Sequence, residues 1–189
     1  MSGLARRLQQ AASAAGGFAW PDAGNTGIPV GTTLQHVPAD VTFGTGWHWR
    51  SDTNSISIDS DGVVLDSLDC DGGIYNPTPD GGSQHIDITV TNCRFRLINW
   101  TAGGFGIQLG SGSTMSHCEV GGGADGMTFE RSTGIESPGA DGAANLIEYC
   151  DLHHLTHALH TGGYTTVNNC WLHDMDTGQN YGGDVAWQS

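Results

Sequence analysis

The side chains of this chain that could do chemistry are histidines and aspartates near its C-terminus. His153 and His173 each follow a cysteine by three residues, at the same place in two copies of a repeated phrase. The two imidazoles are therefore expected to stack on adjacent repeats. His154 and Asp174 come directly after them and are expected to form a second pair beside the first.

Two kinds of chemistry would suit such a cluster. Histidine and aspartate side chains about 5 Å apart on a rigid surface can bind a metal ion. A histidine base or a pair of carboxylates can act as acid and base in the cleavage of a sugar chain. The candidate catalytic residues are His153, His173, Asp174, Asp176 and Asp184, with Asp151, His157 and His160 nearby in sequence. The alternative is that these side chains lie on the surface of the repeats and neither bind a metal ion nor take part in catalysis.

The elements that must position these side chains are copies of a six-residue phrase that recurs four times between residues 89 and 172. The copies begin at Val90, Met115, Ile147 and Val167, and a fainter copy begins at Leu65. The spacings are therefore 25, 25, 32 and 20 residues. Repeats of this length are typical of a structure in which each unit stacks on the one before it.

Each copy of the phrase predicts a corner in the chain. Its fourth and sixth positions are inward-facing by strand spacing, but its first and fourth are an odd number of residues apart. The corner between them falls at Asn92, His117, Tyr149 and Asn169, and asparagine tolerates the backbone angles that a tight corner needs. The fourth position holds a cysteine, which we interpret as a buried structural column of free thiols and not a zinc site. The column consists of Cys93, Cys118, Cys150 and Cys170.

A second kind of strand alternates with the first. Its candidates are residues 105–109, 125–129, 157–160 and 183–187, and residues 131–144 are interpreted as a loop insertion that explains the 32-residue spacing. The pattern predicts an all-β fold, a single-stranded right-handed parallel β-helix with a short N-terminal helix. A content of 30 Gly with only 14% charged residues agrees with short strands and tight corners.

The chain divides into three segments. Residues 1–17 are predicted to form a helix that caps one end of the repeats or attaches the chain to a larger assembly, and they lack the pattern of a secretory signal. Residues 18–40 form an extended lead-in rich in Gly and Pro, and residues 41–189 form the β-helix. The final strand has no cap, so we expect a neighbouring subunit, a partner protein or further chain to cover its edge.

Charge restricts the ligands that the chain can bind. The net charge is −14 and there is no lysine, which disfavours nucleic acid. A polyanionic polysaccharide would be repelled unless Ca²⁺ bridged it to aspartates, so no cofactor is predicted apart from Ca²⁺ as a candidate, either in that role or at a site in the last repeats. No run of 18 apolar residues predicts a membrane span.

Aromatic side chains supply a second candidate site. Trp47 and Trp49 flank a histidine and could form a platform for a sugar ring, although packing against the first repeat is the alternative. The glycan-binding candidates are Trp47, Trp49 and Trp171. The long loops over residues 72–83 and 121–144 could bind a ligand or contact another subunit.

Residues 21–34 read Pro-Asp-Ala-Gly-Asn-Thr-Gly-Ile-Pro-Val-Gly-Thr-Thr-Leu. They resemble the P-x-x-x-N-T-G-V-P-x-G-T-x-L lead-in of pectate-lyase-like right-handed β-helix proteins from actinobacteria and from minor tail and other virion proteins of their phages. Residues 62–69 and 146–175 resemble coils of that family, so the resemblance covers roughly residues 18–189. The catalytic motifs of the family's polygalacturonases are absent, and no Arg or Lys follows Arg131 to serve as the Arg base of pectate lyases.

The resemblance implies a non-enzymatic structural protein of a phage particle, such as a minor tail, spike or capsid decoration subunit. Such a subunit would be located in the virion after assembly in the host cytoplasm. It would form a homo-oligomer, with a trimer as one candidate, and contact other virion proteins and host-surface glycans. The alternative is a polysaccharide lyase or glycoside hydrolase acting as a depolymerase, or a glycan-binding module without turnover.

Overall fold

The computed structural model describes residues 19–77, 84–97, 105–121, 133–138, 143–155, 157–162 and 164–175. These residues form 18 strands and no helix. The strands lie in three sheets, in which almost every pairing is parallel. The prediction of an all-β fold with parallel sheets is therefore confirmed. The helix predicted over residues 1–17 lies outside the described residues.

The strands are short and are numbered in chain order. They are β1 Gln35–Val37, β2 Phe43–Gly44, β3 Trp47–Arg50, β4 Ser55–Ile58, β5 Val64–Asp66, β6 Leu68–Cys70, β7 Gly73–Tyr75, β8 Thr89–Thr91, β9 Arg94–Arg96, β10 Phe105–Gln108, β11 Thr114–Ser116, β12 Glu119–Gly121, β13 Thr133–Pro138, β14 Asn145–Glu148, β15 Asp151–His153, β16 His157–Gly162, β17 Thr165–Asn168 and β18 Trp171–His173. Sheet 1 has the order β1-β6-β9-β12-β15-β18 and sheet 2 the order β17-β14-β11-β8-β5. Sheet 3 has the order β16-β13-β10-β7-β4-β3-β2, and β2, β3 and β4 pair antiparallel at its edge.

From β5 onward the chain contributes one strand to sheet 2, one to sheet 1 and one to sheet 3, and then repeats the order. We call each such set of three strands a unit; units one to four are complete, and β17 and β18 belong to unit five. Equivalent residues of successive units lie opposite each other: Val90 pairs with both Leu65 and Met115. Cys70 lies opposite Phe95, which confirms the predicted alignment of the fainter copy.

The predicted corners are confirmed by the backbone angles. The residue that follows each sheet 2 strand has a positive φ, and these residues are Ser67, Asn92, His117, Tyr149 and Asn169, with φ between 50° and 57°. The corner N–H groups of units one to four each donate to a carbonyl of the next unit, as from Tyr149 N to Asn168 O at 3.1 Å. The corners therefore leave these backbone donors satisfied.

The cysteine column is buried as predicted. Cys93, Cys118 and Cys150 are fully buried, Cys170 is partly exposed, and all five cysteines of the chain are free thiols. The Cys118 thiol, for example, donates weakly to Ser116 O at 3.2 Å and to Val90 O of the preceding unit at 3.7 Å. The remaining core is aliphatic, with Phe95 among its largest fully buried side chains.

Part of the predicted loop insertion over residues 131–144 was wrong. Residues 133–138 form β13, which pairs with β10 and β16 in sheet 3. Ile135 is fully buried and lies opposite Ile107 and Leu159. Gly134, which suggested a loop, packs so closely that an added Cβ would lie 2.6 Å from Leu155 Cδ1. The strands predicted at residues 125–129 and 183–187 lie outside the described residues.

The lead-in runs back along the corners of the units. Gly27 N donates to Tyr149 O in unit four at 2.8 Å, and Gln35 N donates to Ser67 O in unit one at 2.9 Å. Three strand spacings amount to about 14 Å, which the intervening residues span easily. The lead-in therefore connects the first unit directly to the fourth.

Burial predicts how the cysteines react with an alkylating reagent. We expect iodoacetamide at pH 8 to modify Cys170 in the native protein well before the other four thiols. Those four are fully buried and out of reach of the reagent, whereas Cys170 is partly exposed. Peptide mass spectrometry at successive times measures the order, with urea-unfolded protein as the control. Equal rates at all five cysteines in native protein would contradict this packing.

Candidate functional site

The outward side chains of sheet 1 form two columns in register, which we call the outer face of sheet 1. The first column consists of His36, Asp69, Arg94, Glu119, Asp151 and Trp171. The second contains Arg96, Gly121, His153 and His173. The predicted histidine cluster is thus the C-terminal part of a longer row of charged and aromatic side chains.

The structure brings the predicted histidines together. His153 lies opposite His173, and their rings stack with centroids 5.3 Å apart and an interplanar angle of 27°. His154 and Asp174 both have positive φ, and His154 N donates to Asp174 O at 3.1 Å. The two expected pairs are therefore confirmed.

Each stacked imidazole lies between polar partners. His173 Nε2 is 2.8 Å from Asp151 Oδ1, and its Nδ1 is 2.9 Å from Asp174 Oδ2. His153 Nε2 is 3.6 Å from Glu119 Oε1, and Arg94 Nε donates to the other oxygen of Glu119 at 2.9 Å. A chain of ion pairs therefore crosses the strands of sheet 1.

The row continues toward β1 through the other arginine of the outer face. Arg96 forms ion pairs with Asp69 and Asp71, and His36 Nε2 is 3.1 Å from Asp71 Oδ2. The first of these pairs raises the pKa of Arg96. Opposite charges therefore meet at several cross-strand contacts of the outer face of sheet 1, although Glu119 lies directly opposite Asp151, and these contacts stabilise the register of the strands.

The electrostatics of the cluster favour the charged forms of His153, Glu119 and Asp174. The nearby carboxylate of Glu119 raises the pKa of His153, and His153, followed by Arg94, lowers the pKa of Glu119. His173 lowers the pKa of Asp174 in the same way. A carboxyl group that acts as a general acid near neutral pH needs a raised pKa. These shifts are those of ion pairs and not of a poised carboxylic acid.

Sequence reasoning missed three residues that shape this cluster. Glu119 and Arg94 supply the partners just described, and Gly121 supplies space. A Cβ at Gly121 would lie 2.5 Å from Cε1 of His153, so the imidazole occupies the place of a side chain. The position of each residue relative to its copy of the repeated phrase was the signal that could have placed all three on one face.

Two histidines close to the cluster in sequence do not join it. His157 and His160 belong to β16 in sheet 3. Asp176 and Asp184 lie outside the described residues. Asp151 contacts His173 directly and is part of the cluster, although the sequence placed it only nearby.

The tryptophan candidates have different environments. Trp47 is buried, with 6% of its surface exposed, and it belongs to the hydrophobic core, so packing is its role. Trp49 is partly buried against the same core. Trp171 lies on the outer face of sheet 1 and stacks on His173, with ring centroids 3.6 Å apart. Trp171 is thus the glycan-binding candidate on the outer face of sheet 1, where it is partly exposed.

A second polar row lies on sheet 3 and was missed from the sequence. Glu136 lies opposite Gln108 on one side and His160 on the other. Gln108 Oε1 accepts a hydrogen bond from Asn76 N at 3.2 Å. Burial raises the pKa of Glu136, although the charge of His160 opposes the shift. The pKa of Glu136 is therefore shifted in the opposite direction from the pKa of Glu119.

Comparison with known proteins gives no relative for either row of side chains. None of the family models, curated proteins or solved structures matches the chain. Within the described ranges, no group of three or more His, Cys, Asp or Glu side chains is arranged to hold a metal ion. Within the same ranges, no helix is long and apolar enough to cross a membrane.

The His153–Glu119 pair predicts a pH-dependent contribution to stability. The lowered pKa of Glu119 contributes stability that is lost as pH falls through that pKa, and the raised pKa of His153 contributes stability that is lost as pH rises through it. We therefore expect His153→Gln to cost up to about 1 kcal/mol near pH 5.5 and much less near pH 8.5. Urea unfolding at the two pH values measures the difference.

Two further variants make this test specific. His48→Gln is the matched control, because His48 pairs with Asp59 at 2.7 Å but both side chains are nearly half exposed. Gly121→Ala should reproduce the pH-dependent loss, since the added methyl group displaces the His153 ring while both titratable groups remain. An effect of His153→Gln that is the same at both pH values would contradict the assignment.

Proposed function

We propose that this protein is a non-enzymatic structural subunit of a phage particle, built as a right-handed parallel β-helix. It would serve as a minor tail, spike or decoration subunit. The constant order in which successive units contribute strands to three parallel sheets supports a solenoid of this kind. Such a stack is a rigid rod whose surface can be varied without changing its core, which suits a particle component.

The observation that carries the proposal is the position of the lead-in, which bears the resemblance to phage β-helix proteins. Local hydrogen bonds hold the Asn25-Thr26-Gly27 segment of the lead-in. Thr26 Oγ1 donates to Asp22 O at 2.7 Å, and Asn25 Oδ1 accepts from Asp22 N at 2.8 Å. Gly27 has a φ of +72°, and a Cβ added at this position would lie 3.1 Å from the Cβ of Asp151. The motif residues therefore fasten the lead-in to unit four, a structural task that this family of scaffolds would share.

The outer face of sheet 1 also supports a structural role. Its arginines and histidines are paired with its own carboxylates, as in the contacts of Arg94 with Glu119 and of His173 with Asp151. Paired groups of this kind stabilise strand register instead of activating a substrate. We extend the proposal to a homo-oligomer, with a trimer as the candidate state, that contacts other virion proteins and host-surface glycans.

A particle subunit should be a stoichiometric part of purified particles. We expect peptides of this chain in particles made by a strain that carries the gene, at a fixed ratio to the major capsid protein after a high-salt wash. Quantitative mass spectrometry of gradient-purified particles measures this ratio. Presence in the cell lysate with absence from particles would reject the proposal. Light scattering on the purified chain tests the trimer, whose mass would be three times 19.8 kDa.

One observation favours a second function, a carbohydrate-active enzyme of the lyase or glycoside hydrolase type. Glu136 has a pKa raised by burial and lies opposite His160, and a protonated carboxyl can act as the acid in glycoside cleavage. A site in the last two units, built on His153 and His173, is the other version of this reading. A glycan-binding module without turnover would use the same surfaces.

A glycan panel separates these enzymatic readings. If Glu136 is the acid, wild-type protein will cut at least one glycan, and Glu136→Gln will lose activity at least a hundredfold with its unfolding midpoint unchanged. His153→Ala, His173→Ala and Asp174→Asn serve as matched variants, and loss in these three with retention in Glu136→Gln would place the site on sheet 1. Product formation is followed by chromatography with and without Ca²⁺. A wild type that cuts none of the glycans would exclude both sites.

A further inference from the structure

We propose that the pocket between the lead-in and the corner residue of unit four binds a single neutral sugar ring. The pocket has a volume of about 260 Å³ and is lined by Ala19, Pro21, Asn25, Tyr149 and Asn169. Pockets for drug-sized ligands measure about 300–1,000 Å³, so this one accommodates one ring and not an extended chain. The inference rests on the glycan contact included in the proposed function and specifies its site and ligand.

The aromatic wall of the pocket is held in place by its neighbours. The Tyr149 ring stacks on His117 of the preceding unit, with centroids 5.0 Å apart and an interplanar angle of 5°. The backbone carbonyl of Tyr149 accepts the hydrogen bond from Gly27 N that attaches the lead-in to unit four. In unit five the same corner position is held by Asn169, whose shorter side chain ends the aromatic stack. The pocket lies where that stack ends.

The polar groups of the pocket are amides. Asn25 is fixed by its own contacts, because its Oδ1 accepts from Asp22 N at 2.8 Å and its Nδ2 donates to Trp20 O at 3.0 Å. An amide group offers two N–H donors and two acceptor lone pairs, so one of each stays available to a ligand. Asn169 contributes a second amide to the lining. These groups form hydrogen bonds of the kind that sugar hydroxyls make.

The combination of surfaces selects the ligand class. Ala19, Pro21 and Tyr149 give apolar and aromatic surface for the C–H face of a pyranose, and the two amides meet its hydroxyl groups. None of these five lining residues carries a charge, and the chain has a net charge of −14. Uronic acids and sugar phosphates are therefore repelled, and a neutral ring is favoured.

The test measures binding of methyl glycosides of glucose, galactose, mannose and N-acetylglucosamine to the full-length chain by NMR titration. We expect at least one to bind saturably with a Kd on the order of 1 mM, a usual value for a ligand of about 13 to 16 non-hydrogen atoms. Tyr149→Asn should weaken binding at least tenfold. This variant preserves the corner, because asparagine already occupies the equivalent position at Asn92 and Asn169.

Tyr164→Ala is the matched control, since Tyr164 is 61% exposed and does not line the pocket; it should bind as the wild type does. Absence of binding up to about 50 mM of every glycoside would overturn the inference. Equal binding by Tyr149→Asn, or equal affinity for glucuronate, would overturn it as well. Particle association is measured separately, so a chain that enters particles without binding sugar contradicts only this inference, and a sugar-binding chain absent from particles contradicts only the structural role.

Discussion

The structure depends on one constraint, the register between equivalent strands of successive units. Leu65, Val90 and Met115 align in sheet 2, and Cys70, Phe95 and Val120 align in sheet 1, so every unit buries the same positions. Side chains alternate between the two faces of a strand, and a slip by one residue would therefore expose the core and separate the ion pairs of the outer face together. Loops of different length leave this register intact, which is why spacings from 20 to 32 residues produce the same stack.

Net charge and local charge have different consequences in this chain. Although the chain carries a charge of −14, the arginines among its described residues are each paired with its own carboxylates: Arg50 with Asp52, Arg94 with Glu119, and Arg96 with Asp69 and Asp71. In sheet 1, for example, Arg94 separates Asp69 from Glu119, two acidic side chains that would otherwise repel each other. The positive charge stabilises the scaffold and leaves the surface acidic, which favours neutral partners over anionic ones.

The spacing of the repeated phrase predicted those structural features that depend on a residue's position within one repeat or on the offset between two repeats. The corners at Asn92 and Tyr149, the free thiols and the stacked imidazoles follow from positions within the phrase. Glu119 as the partner of His153 did not follow, because a contact between side chains in different units requires the register and the space left by Gly121. The strand at residues 133–138 was missed because Gly and Pro resemble a loop, although close packing against Leu155 is what requires Gly134.

The path of the lead-in sets an order on folding. Gly27 leaves the ribosome long before Tyr149, to which its N–H must donate, so the lead-in has no docking surface until unit four exists. Units one to three can stack as they are made, through contacts between neighbouring repeats, whereas the lead-in closes across them only late. The lead-in then joins the first unit to the fourth. If any unit between them unfolds, the contact made by the lead-in is therefore disrupted as well. A stack that could otherwise fray from its ends is thereby expected to unfold more nearly as a whole.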